Sequence, residues 1–320
     1  MRKKVFFLAA MSLAVLASCT QEDGEQLAPT SAVQTIHVVP QVSSIHSRGT
    51  YDSDNLSEFG ISIRQGDLSV NQYRNVKMTK GYSSWQSEKE MIWSGDVSSI
   101  DVIAYAPYQA NTQLELFDMT DYPVSVKQVQ TADDKSSDFL VFKAKNYEPD
   151  DGTKGGKNVE VTFQHAMSQV NITLDFGNEF TNALVADVSK IEHFKMKAGI
   201  LSGTCDFTLD EPKVTVSSGV AADFVAPEFV SFQPIDADHS HITAKYSCIL
   251  VPQIIQADDF WVAFTIGDKN YAWYSKKAVT LEQGKAYDLK LTLGKDLLLL
   301  DGLNSTPWSE NGWSDESNLD

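Results

Sequence analysis

The chain has 320 residues and a formal net charge of −17, from 26 Lys and Arg against 43 Asp and Glu. This acidic balance argues against nucleic-acid binding, which needs a basic surface to meet phosphate. Hydrophobic residues make up 42% of the chain, which predicts an apolar core, and three cysteines are too few for a disulfide scaffold or a cysteine-rich zinc module.

The N-terminus has the pattern of a lipoprotein signal peptide. Basic residues in Met1–Lys4 precede an apolar stretch, Val5–Leu16, that is too short to span a membrane. Leu16–Cys19 then forms a lipobox, in which small side chains precede a cysteine. The sequence predicts a signal peptide over residues 1–18, with Cys19 as the acylated first residue of the mature chain. The alternative is an ordinary signal peptide with an unrelated cysteine.

An acidic run, Thr20–Glu25, follows the predicted anchor within a tether over residues 19–33. Acidic runs at this place resemble signals that send lipoproteins to the outer face of the outer membrane, and the alternative is a solvated tether. A single acylated cysteine attaches a protein to a bilayer without spanning it. We therefore expect an outer-membrane lipoprotein that is exposed at the cell surface.

Beyond the tether, apolar residues alternate with polar ones, which is typical of β-strands. The alternation is clearest in five segments: Val159–Phe163, Val170–Phe176, Tyr246–Val251, Phe260–Ile266 and Tyr287–Leu293. Turn residues separate many such short segments, and this spacing predicts antiparallel β-sandwiches in an all-β fold. The segment from Glu179 to Lys190 is expected to be a short helix or an irregular crossover.

One polar, glycine-rich segment, Asn146–Lys157, is the best internal break in the sequence. Strand-like alternation resumes directly after it, which indicates a domain boundary near Lys157. We therefore expect an N-terminal β-sandwich domain over residues 34–156 and a C-terminal one over residues 157–320. Both lengths are usual for a domain.

No catalytic or cofactor-binding motif is found, and we expect neither a catalytic site nor a cofactor. Three pairs of adjacent acids have the surroundings of solvated turns: Asp133–Asp134, Asp150–Asp151 and Asp258–Asp259. His239 and His241 could face one side of a strand, but no third ligand stands at a suitable spacing. The sequence therefore predicts no metal site.

Four further residues or segments carry structural predictions. His165 stands where the alternation changes phase, which predicts a bulge or a bend and a histidine that bonds to backbone groups. Cys205 and Cys248 lie in predicted strands, either as a disulfide or as two free buried thiols. The leucine run in Asp296–Asp301 predicts a strand buried on both faces.

Several segments in chain order resemble motifs of the fimbrillin family. They are Trp85 with Met91–Gly95 and Ile103–Tyr108, then Ser137–Val141, Phe163–Val170, Tyr246–Gln253, Gly284–Leu293 and Trp308. The four segments from Ser137–Val141 to Gly284–Leu293 have, in this order, the family patterns S-D-hydrophobic, F-x-H-A, Y-x-x-I-L-x-P-Q and G-x-x-Y-x-L-x-L-x-L. Each motif is weak alone, but together with the lipobox they span nearly the whole mature chain.

The resemblance implies a specific architecture and mode of assembly. Fimbrillins have two tandem transthyretin-like (Greek-key) β-sandwich domains and are lipoprotein-derived subunits of type V pili and related surface adhesins. In stalk members, an arginine-specific protease removes the first strand, and a donor strand from the next subunit fills the groove. Such strand addition obtains affinity from main-chain hydrogen bonds and specificity from side-chain pockets.

Arg48 occupies the position of the family's processing site in this sequence. It lies after the first predicted strand, Thr35–Val42, and before the next, Phe59–Ile63. The alternative is an arginine in an ordinary connecting loop. The segment Asp296–Asp301 is either this subunit's own last strand or the donor strand, and only a polar tail follows Trp308. This tail favours a tip, accessory or anchoring role, or a protein that never polymerises.

The resemblance favours a structural or adhesive fimbrial subunit that is not an enzyme. Its expected partners are other fimbrial subunits, the outer membrane and a host or glycan receptor, with no nucleic acid. The alternative is a monomeric surface lipoprotein that binds glycan or host protein. Aromatic residues for such binding are Tyr82, Trp85, Trp273 and Tyr274, and a contiguous exposed row of aromatics would favour it. A hydrolase, the third reading, would need a convergent pair of acids in a deep cleft.

Overall fold

A computed structural model of the chain describes residues 34–43, 50–66, 72–95, 97–111, 115–152, 155–177, 180, 188–234, 242–294 and 297–308. The predicted signal peptide, Cys19, the tether, Arg48, His239 and His241 lie outside the described residues. Most of the segment from Glu179 to Lys190, expected as a helix or crossover, also lies outside, and its end is a short 3₁₀-helix, Val188–Lys190.

The described N-terminal half consists of short strands and one 3₁₀-helix. These are β1 (Ile36–Val42), β2 (Glu58–Arg64), β3 (Tyr73–Lys80), β4 (Trp85–Ser87), β5 (Ile100–Ala106), the 3₁₀-helix Leu116–Asp118, β6 (Tyr122–Ser125), β7 (Leu140–Tyr147), β8 (Asp150–Asp151) and β9 (Lys157–His165).

The described C-terminal half is likewise built from strands. These are β10 (Ser168–Phe176), β11 (Ile191–Lys197), β12 (Ser202–Asp206), β13 (Lys213–Val216), β14 (Phe224–Val225), β15 (Glu228–Pro234), β16 (Ile242–Leu250), β17 (Gln253–Ile255), β18 (Trp261–Ile266), β19 (Lys269–Tyr274), β20 (Val279–Leu281), β21 (Lys285–Leu293) and β22 (Leu298–Pro307). The expected all-β sandwich fold is confirmed.

The strands pair into two large parts and a connecting sheet. The first sheet has the order β1-β9-β7-β5-β2-β3-β4, with β8 beside β9. The C-terminal part has a five-stranded sheet, β15-β16-β10-β21-β22, and a four-stranded sheet, β14-β11-β18-β19. A three-stranded sheet, β13-β12-β6, links the two halves, because β6 comes from the N-terminal half and β12 from the C-terminal half.

Three clusters of buried apolar side chains lie between these sheets. The N-terminal core belongs to the first sheet and includes Phe59, Ile61, Val161 and Phe163. The C-terminal core includes Val170 and Leu289 of the five-stranded sheet and Val262 and Phe264 of the four-stranded sheet, so these two sheets form a sandwich. The junction core takes residues from both halves, among them Tyr105, Tyr122, Phe139, Phe207 and Trp308. Burial of apolar surface therefore stabilises each half and also their contact.

Three expectations need correction or refinement at the turn between the halves. Of the bulge or bend expected at His165, the structure has a bend: β9 ends at His165, the chain bends at Met167, and β10 starts a new strand at Ser168 in a different sheet. The segment from Asn146 to Lys157 includes β8, which pairs with β9. The first sheet thus extends beyond Lys157 to the end of β9, while the division into two domains stays a prediction.

The last strand also differs from the expectation. Leu298 is buried, but Leu299 and Leu300 are 53% and 47% exposed, so the leucine run is not buried on both faces. The reason is that β22 is the outermost strand of its sheet and pairs with β21 alone. Among the described residues, no helix is long and apolar enough to cross a membrane.

Candidate functional site

The hypothesis of cleavage after Arg48 concerns β1, an edge strand of the first sheet. It pairs in parallel with β9 along its whole length, from Ile36 opposite Lys157 to Val42 opposite Phe163. On its other side, β9 pairs with β7 and β8 only near its two ends. Loss of β1 would therefore expose the main-chain hydrogen-bonding groups along one edge of β9.

Side chains at alternate positions attach β1 to the N-terminal core. Ile36 and Val38 are each 5% exposed and Val42 is also buried, whereas Val39 is 42% exposed. Burial of one such side chain stabilises by about 1.5–3 kcal/mol. These three side chains therefore hold β1 against the N-terminal core.

Further main-chain contacts fix both ends of β1. The Ile36 N–H donates to the carbonyl oxygen of Met91 at 2.8 Å, and the Trp93 N–H donates to that of Gln34 at 2.7 Å. At the other end, the Val42 N–H donates to Ser53 Oγ at 2.9 Å. On the β1 side, these contacts are made by backbone groups at or next to the two ends of the strand.

A glycine directly before β9, Gly156, allows the close approach of β1. A Cβ atom on Gly156 would lie 2.6 Å from the carbonyl oxygen of Thr35 and 2.9 Å from the His37 ring. Any larger residue would therefore push the N-terminal end of β1 away from β9.

The chain that emerges after Arg48 is held by a buried carboxylate. Asp138 Oδ2 accepts the Tyr51 N–H at 2.7 Å, and Thr50 is fully buried. Burial and the nearby Asp138 raise the pKa of the Tyr51 phenol to about 12. Cleavage after Arg48 would therefore leave the new N-terminal segment anchored two residues from its end.

The same carboxylate takes part in a buried stack with His165 and Trp308. Asp138 Oδ1 lies 2.8 Å from His165 Nδ1, and because a carboxylate oxygen accepts, Nδ1 is the donor. The His165 ring stacks on Trp308 at 4.2 Å between centroids and 11° between planes. The expectation that His165 bonds to backbone groups is thus wrong, since its Nδ1 partner is a side chain.

This Asp138–His165–Trp308 stack joins three of the sequence motifs at the junction of the halves. Asp138 comes from the S-D motif, His165 from the F-x-H-A motif, and Trp308 follows β22 at the end of the described chain. The backbone N–H of Trp308 donates to the carbonyl oxygen of Gly284 at 2.8 Å, and Gly284 is the first residue of the closing motif. The motifs matter because they meet in space, which their separation in sequence does not reveal.

The two cysteines outside the predicted signal region are free and buried in different clusters. Cys205 belongs to the junction core and Cys248 to the C-terminal core, where its Sγ lies 3.7 Å from Met196 Sδ. Burial raises the pKa of each thiol to about 12. Of the two alternatives, free apolar cysteines describe these positions and a disulfide does not, because each side chain is buried in a different cluster.

The remaining sequence candidates lie apart from one another. Asp258 and Asp259 form exposed ion pairs with Lys276 and Lys197, and Asp151 pairs with Lys157, as surface turn residues do. Within the described part of the chain, no group of three or more His, Cys, Asp or Glu could hold a metal ion.

Comparison with known proteins gives a consistent result. The sequence profile of the fimbrillin-like family matches residues 47–308. The fold is similar to two Bacteroides proteins whose proposed role is cell adhesion. The protein from B. ovatus has a TM-score of 0.64 and 18% identity, covering 87% of this chain and 98% of that one. The protein from B. uniformis has a TM-score of 0.61 and 18% identity, covering 88% and 100%.

A fimbrial protein from Bacteroides vulgatus is also similar in fold, with a TM-score of 0.51 and 14% identity, covering 86% of this chain and 99% of that one. At such identities the likeness of structure shows the fold alone. No curated protein sequence matches the chain.

Proposed function

The chain belongs to the fimbrillin-like family, and from this membership we propose that it is a structural or adhesive fimbrial subunit, not an enzyme, that assembles by strand exchange. In this exchange, a strand from another subunit takes the place of β1 at the edge of the first sheet. One observation carries the proposal: β1 is an edge strand held by backbone bonds and three apolar side chains, and Arg48 follows it in sequence. A donor strand with apolar residues at the same spacing would make equivalent contacts.

The chain acts as an acceptor in this exchange and occupies a tip or accessory position. The support for this is β22, which pairs with β21 of its own sheet from Leu298 to Pro307. A strand that is engaged in its own sheet in this way does not serve as a free donor. The leucine run is therefore the subunit's own last strand in this proposal.

Cleavage by an arginine-specific protease is expected to open the acceptor site. A suitable probe is a fluorescent peptide with the sequence of residues 35–43, because the groove already fits β1. After cleavage and removal of the released fragment in dilute urea, we expect saturable peptide binding by fluorescence anisotropy. N-terminal sequencing should then find Gly49 as the first residue.

Two arginine variants give a matched comparison for this experiment. Arg48→Gln should block both cleavage and peptide binding, whereas Arg74→Gln, at an exposed arginine paired with Glu115, should change neither. Equal peptide binding by the Arg48→Gln variant and the cleaved protein would refute the exchange. Detergent-resistant ladders of the cleaved protein alone would instead show that it is also a donor, against a tip or accessory position.

The proposal includes attachment to the outer membrane through a lipid on Cys19. Its support is the lipobox Leu16–Cys19 behind a short apolar stretch. Cells grown with an alkyne analogue of palmitate should label the wild-type protein, and Cys19→Ser should abolish the label. Surface proteolysis of intact cells should digest the labelled protein. Labelling of the Cys19→Ser variant at wild-type level would exclude this cysteine as the anchor.

A further inference from the structure

The outer face of the four-stranded sheet carries a contiguous row of three aromatic side chains, of which the outer two are exposed and the middle one is half-buried. Phe224 of β14, Trp261 of β18 and Tyr274 of β19 lie side by side across the strands. The ring centroids of Phe224 and Trp261 are 5.3 Å apart, and those of Trp261 and Tyr274 are 5.8 Å apart. Phe224 and Tyr274 are 42% and 43% exposed, although the opposite face of the sheet supplies the C-terminal core. Core packing therefore does not account for this row.

A bulge in β11 directs two further side chains to the same face. The register with β18 shifts between Glu192 and Lys195, and His193 has a φ of 53°. Positive φ is uncommon for a residue other than glycine, and bulges re-aim side chains. As a result, His193 and Lys195 are both exposed, while Phe194 between them stacks on Tyr246 at 3.8 Å.

These side chains surround a shallow cavity of about 410 Å³. Two small residues that pair across the strands, Ala263 and Ala272, form its floor. Trp261 and Tyr274 line one end, and the polar residues Thr265 and Asn270 line the other. The volume falls in the range of about 300–1,000 Å³ that small ligands occupy.

The charge at this cavity is opposite to that of the protein as a whole. Lys195 Nζ lies 5.3 Å from the Phe224 ring centroid and 5.9 Å from that of Trp261. No described carboxylate forms an ion pair with Lys195, whereas the nearby Lys197 pairs with Asp259 and Lys276 with Asp258. An ammonium that lies beside a cavity and has no ion-pair partner among the described residues, in a chain of net charge −17, favours an anionic ligand.

We propose that this face binds a glycan whose sugar ring carries a carboxylate. The apolar face of a pyranose ring stacks on the half-buried ring of Trp261 and the exposed ring of Tyr274. Its hydroxyl groups exchange hydrogen bonds with Thr265 and Asn270, and its carboxylate meets the Lys195 ammonium. The site lies in strands that share no sheet with β1, so it is independent of strand exchange.

The test is calorimetric titration of the uncut protein with 3′-sialyllactose and with lactose, which lacks only the acidic sugar. We expect 3′-sialyllactose to bind with a Kd below about 1 mM and lactose at least about tenfold more weakly. Lys195→Gln should reduce the affinity for 3′-sialyllactose to that for lactose. Trp261→Ala and Tyr274→Ala should each weaken it about tenfold, which corresponds to 1.4 kcal/mol.

Tyr82→Ala is the matched aromatic control, because Tyr82 is a fully exposed aromatic of the first-sheet region and should leave affinity unchanged. Tyr274→Ala and Lys195→Gln replace exposed side chains, so the test stands even if Trp261→Ala unfolds. Equal binding of the two sugars, or equal affinity of the Lys195→Gln variant, would overturn the proposal. Tetragalacturonate is a second glycan whose sugar rings carry carboxylates. If neither 3′-sialyllactose nor tetragalacturonate saturates the protein, the proposal is also overturned.

Discussion

Val38→Asp is expected to release β1 from the edge of the first sheet while the rest of the protein stays folded. Val38 is 5% exposed in the N-terminal core, and an unpaired buried charge costs roughly 3–5 kcal/mol. Because β1 is an edge strand, its release relieves this cost without disturbing the other strand pairs. Hydrogen exchange of peptides covering β9 should accelerate by roughly two orders of magnitude, since each 1.4 kcal/mol is a factor of ten.

The neighbouring residue supplies the control for this experiment. Val39→Asp introduces the same charge one position further along, but Val39 is 42% exposed, so its carboxylate stays in water. We expect the rate of hydrogen exchange in β9 of the Val39→Asp variant to match that of the wild type. If both variants exchange equally, β1 is not held by its buried side chains.

Asp138→Ala is expected to lower the free energy of unfolding by about 3–5 kcal/mol, because it leaves two buried donors without an acceptor. The donors are the Tyr51 N–H at 2.7 Å and His165 Nδ1 at 2.8 Å, and each such loss costs about 1–3 kcal/mol. Urea unfolding, monitored by circular dichroism, measures the total change in the free energy of unfolding. Hydrogen exchange should rise in two places, the segment from Thr50 and the end of β9, because Asp138 bonds to both.

Asp133→Ala is the matched control for this loss of a carboxylate. Asp133 lies in the same loop but is exposed, and surface substitutions of this kind usually change stability by less than about 0.5 kcal/mol. Asp138→Asn keeps one acceptor oxygen, so its free energy of unfolding should lie between those of Asp138→Ala and Asp133→Ala. An Asp138→Ala variant as stable as Asp133→Ala would show that the buried contacts contribute little.

The predictions for Val38 and Asp138 concern two neighbouring parts of one chain segment, β1 and the residues that follow Arg48. Arg48 follows β1, and two residues after Gly49 the Tyr51 backbone is bonded to Asp138, whose other oxygen contacts His165 and hence Trp308. Release of β1 would therefore end at a fixed point, because the chain after Thr50 keeps its own buried contacts. The proposed strand exchange needs such a fixed body beside the strand that is replaced.

Motifs in the sequence predicted the family, and the match over residues 47–308 confirms it. Period-two alternation predicted the strands, and it holds in β9, where Val159, Val161 and Phe163 point inward. The sequence was ambiguous where alternation has two explanations. A phase change at His165 is produced equally by a bulge and by a bend that leads into a new strand, and only the structure shows the bend. The prediction for the leucine run was wrong, because such a run does not reveal whether one face of β22 or both are covered.

The sequence by itself thus determined the all-β class, the family, and which residues of a strand share a face, because these depend on side-chain alternation and local motifs. Only the tertiary structure decided which strands are neighbours. It brought together Asp138, His165 and Trp308, and it aligned Phe224, Trp261 and Tyr274 across three strands. The physical reason is that strand pairing is non-local: backbone hydrogen bonds are the same for every strand, so the order of strands is set by the packing of the whole core.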